Sequence, residues 1–189
     1  VSQRFPAGHQ VRLSLSTIYW PLAWPPPESS ELTVHTAGSR LLLPVRPPRE
    51  SDRNLPAFDE PETAPPGESK QVSKGVNEWK VERDLANDRA SLIVRKNCGR
   101  VFLNEIELEY ESQTREKYTI FNNDIGSVHG ETRWEQVFSR ADWSAKTTTK
   151  TVLTSDHEFF YINADLDAFE GEKRIFCHSW NKKIRRDLV

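Results

Sequence analysis

The sequence contains no methionine, not even at position 1, and only two cysteines, Cys98 and Cys177. The missing start residue leads us to expect a segment of a longer chain. The cysteines form no Cys-x-x-Cys pair and no zinc-type spacing. That leaves two reduced thiols buried as small hydrophobes, or one disulfide. No run approaches the ~18 apolar residues that would span a bilayer, so no membrane partner is expected. No positively charged start followed by an apolar stretch marks a secretory signal, and a cytoplasmic location is expected. Neither sign of charge dominates. Lys and Arg total 26 against 28 for Asp and Glu, a net charge of -2, whereas a nucleic-acid binder carries a clear basic excess. Apolar residues make up only 36%, low for a compact domain. What is present instead is aromatic bulk: six Trp and nine Phe, each able to bury roughly 150–250 Å². A core wrapped in polar loops follows.

Proline is unevenly spread. All 12 prolines lie in the first 66 residues. Proline fixes φ and restricts its predecessor, so the charged run Pro44–Pro66 reads as extended loop. Residues 44–72 are expected to form a surface strap pinned by Leu55 and Phe58, in preference to a flexible linker. Elsewhere the apolar period is two, as in half-buried strands. Val11, Leu13 and Leu15 alternate with polar residues, as do Leu32, Val34 and Thr36, before Gly38-Ser39 turns the chain into LLLPV. Further strands are read at Trp79–Arg83, Leu92–Val94, Glu105–Phe121, Trp134–Phe138, Lys146–Leu153, Phe159–Ala164 and Lys173–Trp180. Thr147, Thr148, Thr149 and Thr151 are β-branched and favour a strand. Only Ala164–Phe169 and the basic C-terminus are modest helical candidates. Short strands separated by turns predict an all-β, jelly-roll-like β-sandwich.

Few constellations point to chemistry. Ser155-Asp156-His157 holds the residue types of a serine hydrolase, but strand neighbours point to opposite faces, so a loop is the reading. Gly126-Ser127-Val128-His129-Gly130 lacks the central serine and following helix of a nucleophile elbow, and reads as a turn. His9, His35, His129, His157 and His178 are scattered, which supports no metal site. The acidic clusters lack the calcium-loop pattern. No catalytic residue, cofactor or metal is therefore assigned. The tail Lys182-Lys183-Ile184-Arg185-Arg186 reads as a solvated terminus or a contact with an acidic surface. The most unusual segment is Ile18-Tyr19-Trp20-Pro21-Leu22-Ala23-Trp24-Pro25-Pro26-Pro27. Two Trp four apart among prolines are not a helix face. They form a rigid apolar loop that serves as a core lid or interdomain contact, a sugar-binding platform, or the wall of a neighbouring active site. Tyr19, Trp20 and Trp24 are its candidate contact residues.

The strings FPAGHQVRLSLSTIYWPLAWPPPE and LTVHTAGSRLLLPVRPPR resemble the C-terminal domain of X-prolyl dipeptidyl-peptidases and CocE/NonD-type acyl esterases. That α/β-hydrolase group includes cocaine esterase and α-amino-acid ester hydrolases. Arg140–Trp143, Leu153–Asp156, Phe159–Tyr161 and the terminal SWNKKIRRDLV extend the resemblance over nearly the whole chain. The chain departs from it at Arg185, where members usually carry Pro, and at Asn123–Ser127.

The resemblance implies a galactose-binding-domain-like sandwich, one domain over residues 1–189, entered after its first strands. It also implies a parent serine hydrolase whose Ser-His-Asp triad and helical cap lie outside this segment. This domain would pack on the hydrolase and cap domains of its own chain, stabilise them and border the substrate cleft. No residue here inherits a catalytic role. A bared strand edge is expected to be covered by self-association or the strap, making a homo-oligomer. The alternative is a carbohydrate-binding β-sandwich module, which needs Trp20, Trp24 or Trp143 in one flat exposed patch.

Overall fold

The computed structural model describes residues 3–187. Eight strands form one antiparallel sheet: β1 (Ser69–Gln71), β2 (Val76–Asp84), β3 (Arg89–Leu103), β4 (Leu108–Phe121), β5 (Asp124–Arg140), β6 (Trp143–Ser155), β7 (Phe159–Glu170) and β8 (Lys173–Arg185). From β3 to β8 each strand pairs with the next. β1 and β2 share the outer side of β3. Two-residue turns close three of the hairpins. Asn122 and Asn123 both take positive φ, of 49° and 54°, the geometry that matches the right-handed strand twist.

Register sorts the side chains. Because strand side chains alternate, paired residues share a face along the whole sheet. One row runs Val81, Leu92, Tyr118, Gly130, Leu153, Ile162. A parallel row holds Trp134, Thr149 and Leu166. One residue out of phase, Glu78, Arg95, Arg115, Arg133, Lys150 and Asp165 face the other side. The sheet therefore has an apolar face and a charged face. The chain is all-β, and such a sheet has the build of one layer of a β-sandwich.

The apolar face is largely uncovered. Among the described residues only Ile93, Val94 and Val128 are buried hydrophobics, while Trp134, Trp143 and Phe176 are about half exposed. The chain exposes 15997 Å², whereas a compact folded chain of 21.8 kDa exposes roughly 9,300 Å². The surplus has two sources, the extended unpaired residues before β1 and a sheet face without its second layer.

Several local expectations are corrected. Val11–Leu15, Leu32–Thr36 and LLLPV are not strands. They run extended without pairing, with Leu13 61% and Leu42 87% exposed, because alternation makes a strand only where a neighbour supplies the hydrogen bonds. Ala164–Phe169 lies in β7: Ala164, Leu166 and Ala168 pair with Thr151, Thr149 and Thr147 on the apolar face, a period of two. The basic tail as far as Arg185 belongs to β8. Gly126–Gly130 is not a turn but part of β5, since the reversal falls on Asn122-Asn123. Within the strap, Glu50–Arg53 forms a 3-10 turn and the rest is extended up to β1. Leu55 and Phe58 are not anchors; Phe58 is fully exposed. Cys98 and Cys177 are free and exposed, in strands separated by four others, so they form neither a buried pair of thiols nor a disulfide.

Where β1 gives way to β2, β3 bulges between Asn97 and Arg100. The Gln71 amide donates to the carbonyls of Ser73, Cys98 and Arg100, and Asn97 Oδ1 accepts from Gly99 N–H at 2.6 Å. Gly99 has φ of +71°, and a Cβ there would lie 2.1 Å from Ser73 O. Both the backbone conformation and the space demand glycine. Gly99→Ala is expected to cost about 2 kcal/mol or more, read as a lower urea midpoint with an unchanged m-value.

Candidate interdomain site

The segment 18–27 docks on the apolar face. Ala23 N–H donates to Tyr19 O at 2.8 Å, and this single helical turn brings Trp20 and Trp24 to the same side, which the surrounding prolines had argued against. The Trp20–Pro21 bond is cis. The two indoles meet edge to face at 5.0 Å and 89°. Trp20 also lies edge-on to Tyr118 of β4, and Trp24 to Phe160 of β7. Such contacts add about 0.5–1.5 kcal/mol each beyond area burial.

The seat for Trp24 is a missing side chain. A Cβ on Gly130 would stand 3.6 Å from Trp24 Cζ3 and 3.5 Å from Tyr118 Cδ1, so anything larger than alanine would push the indole off the sheet. Next to it Val128 and Pro25 are buried. The polar edge of the indole is matched as well: Trp24 Nε1 donates to Ser155 Oγ at 2.8 Å.

Arg186 closes the cluster. Its Nη1 donates to Ser155 Oγ at 3.2 Å and to Asp156 O at 2.8 Å, and its Nη2 donates to Pro25 O. The guanidinium carbon sits 4.7 Å from the centroid of Phe160. Burial lowers its pKa, partly countered by Asp156. A residue read as part of a solvated tail is thus only 9% exposed, tying the end of β8 to the Trp loop.

Asp156 orders the β6–β7 turn. Its carboxylate accepts from Tyr161 Oη at 2.6 Å and from the N–H groups of Glu158 and Phe159. These bonds hold its pKa down to about 2. The same hydrogen bond raises that of Tyr161. At Tyr118 burial is the main cause of a raised pKa, with the bond from its hydroxyl to Glu116 adding to it.

Trp20 and Trp24 come together on the sheet, whereas Tyr19 and Leu22 point away, 68% and 69% exposed. Ser155 accepts hydrogen bonds from Trp24 and Arg186, Asp156 serves its own turn, and His157 is exposed. The three side chains point to different partners. Ser127 Oγ donates to Asp124 O and accepts from Phe121 N–H, stapling the β4–β5 hairpin. Trp20 and Trp24 are perpendicular, and Trp143 begins β6 at the end opposite Ser155, roughly 40 Å away at ~3.3 Å per residue. These three do not form one flat platform. Tyr118, Gly130, Ser155, Phe160 and Arg186 were missed as members of the site. Only the small residue opposite Tyr118, placed by register, would have marked the seat.

The described chain is an all-β sheet with an aromatic loop docked on one face. Residues 1–51 match the family described as the X-Pro dipeptidyl-peptidase C-terminal non-catalytic domain. The match includes the whole Trp loop and stops before β1, so the C-terminal strings lie outside it. No curated protein and no solved structure matches the chain.

Trp24→Phe keeps the ring contacts but removes the donor to Ser155. We expect a loss of about 1 kcal/mol in denaturant unfolding. Gly130→Val should cost more and red-shift the Trp emission. The Asp156 pKa is depressed in the folded state, so its contribution is present above pH ~3.8 and is lost as pH falls through about 2. Asp156→Asn should flatten the acid limb of the stability profile between those values, measured by urea titration at each pH.

Proposed function

We propose that this chain is the non-catalytic β domain of a serine hydrolase of the X-Pro dipeptidyl-peptidase or acyl-esterase type. Its apolar face packs on the α/β-hydrolase and cap parts of the parent enzyme, and the Tyr19–Trp24 turn borders the substrate cleft. The observation that carries this reading is the uncovered apolar face, with exposed Trp134, Trp143 and Phe176, beside the family match of residues 1–51. An exposed face of this size marks an interaction surface. Trp20 and Trp24 hold the turn rigid, so that Tyr19 and Leu22 are presented outward. In isolation the same face drives self-association into a homo-oligomer.

Expressed within its complete open reading frame, the protein is expected to hydrolyse an X-Pro p-nitroanilide or a p-nitrophenyl ester. Residues 1–189 alone should give no turnover above buffer and a light-scattering mass above 21.8 kDa. Turnover by residues 1–189 would overturn the non-catalytic assignment. A clean monomer that binds no hydrophobic dye would overturn the packing face.

A further inference from the structure

The charged face holds a row of like charges. Arg95, Arg115, Arg133 and Lys150 lie directly opposite one another on four successive strands, about 4.8 Å apart. Three like-charge pairs in one row cost stability unless anions balance them. The ends of the row have acidic partners, each shared between two cations. Glu78 takes Lys80 at 3.1 Å and Arg95 at 3.4 Å, and Glu131 takes Arg133 at 2.7 Å and Lys150 at 3.9 Å. The middle has none: among the described residues neither Arg115 nor Lys117, one row on, has an acidic partner within ion-pair distance. Arg115 borders three open grooves, shared with Glu135, with Lys117 and His129, and with Lys80.

The same chain carries the complementary segment. Residues 54–68 contain Asp59, Glu60, Glu62 and Glu68 and no Lys or Arg. Asp59, Glu60 and Glu62 are exposed and, among the described residues, form no ion pair. Pro61, Pro65 and Pro66 stiffen the run and remove donors that would otherwise need partners. The strap is tethered where it is needed. Asn104 N–H donates to Glu68 O at 3.0 Å, and β1 follows against Leu103, which itself pairs with Leu108. From Leu108 to Arg115 is seven residues of strand, about 23 Å. From Glu68 back to Glu62, Glu60 and Asp59 is six to nine residues, about 19–28 Å in a polyproline-type extension. The lengths match.

We infer that the acidic strap closes over the charged face and sets Asp59, Glu60 and Glu62 against Arg115 and Lys117. The closed strap supplies the missing counter-charge of the row. It costs little chain entropy because the prolines already hold the segment extended.

The test is zero-length carbodiimide coupling of carboxylates to lysines in the full chain, read by peptide mass spectrometry. An equal mixture of isotope-labelled and unlabelled protein separates bonds within one chain from bonds between copies. We expect couplings from Asp59, Glu60 or Glu62 to Lys117 or Lys150 within one chain at about 0.01 M salt, falling several-fold at about 1 M, where the Debye length shrinks from ~30 to ~3 Å. Arg115→Glu should abolish them. The double variant Glu60→Gln/Glu62→Gln should reduce them several-fold, and it cannot unfold the sheet because those side chains touch nothing in it. No coupling from the strap to either lysine at low salt would overturn the inference. So would coupling only between copies, or coupling indifferent to salt and to Arg115→Glu.

Discussion

Cross-strand register is the constraint on which everything else in this protein rests. Six successive hairpin pairings hold alternate residues in phase from β2 to β8. A slip of one residue anywhere would move a whole strand's apolar set to the charged side. That phase puts Leu92, Tyr118, Leu153 and Ile162 on one side and the Arg95–Lys150 row on the other. A single two-sided sheet of this kind has no inside of its own. Its apolar side has no second layer to cover it, and tight turns at Asn122-Asn123, Ala141 and Gly171 close its hairpins.

The Trp loop is the part of that cover the chain supplies itself. Its attachment combines three kinds of interaction at one spot: edge-to-face rings, an indole donor on a serine hydroxyl, and a buried guanidinium bound to carbonyls. Ser155 Oγ is the shared point. It accepts from Trp24 and Arg186, so loop, sheet and the end of β8 are joined through one oxygen. Each partner left alone would be a polar group without water. The hydroxyl is thereby committed to holding the loop, and the loop lies in the stretch of chain that the family match at residues 1–51 covers.

Much of the sheet was legible because period-two alternation is a local property. Trp79–Arg83, Leu92–Val94, Trp134–Phe138 and Lys173–Trp180 are all strand. The same rule, applied to Val11–Leu15 and Leu32–Val34, names strands that have no neighbour to pair with. Alternation states which residues would share a face; it does not provide the hydrogen-bonding partner. The site was only half legible. Trp20 and Trp24 stand out by composition. Their seat does not, since Ser155 is 131 residues from Trp24, and Gly130 matters only through the strand that register sets beside it. Arg186 reads as tail because its burial comes from Pro25, 161 positions away.

The outermost strand has one more consequence. β8 carries Lys173 and Arg174 at one end and Lys182, Lys183 and Arg185 at the other. Two copies aligned antiparallel along this strand would bring one cationic end against the other at both tips of the ribbon. The border strand thus repels its own image, the kind of guard that keeps open sheets from growing into fibrils.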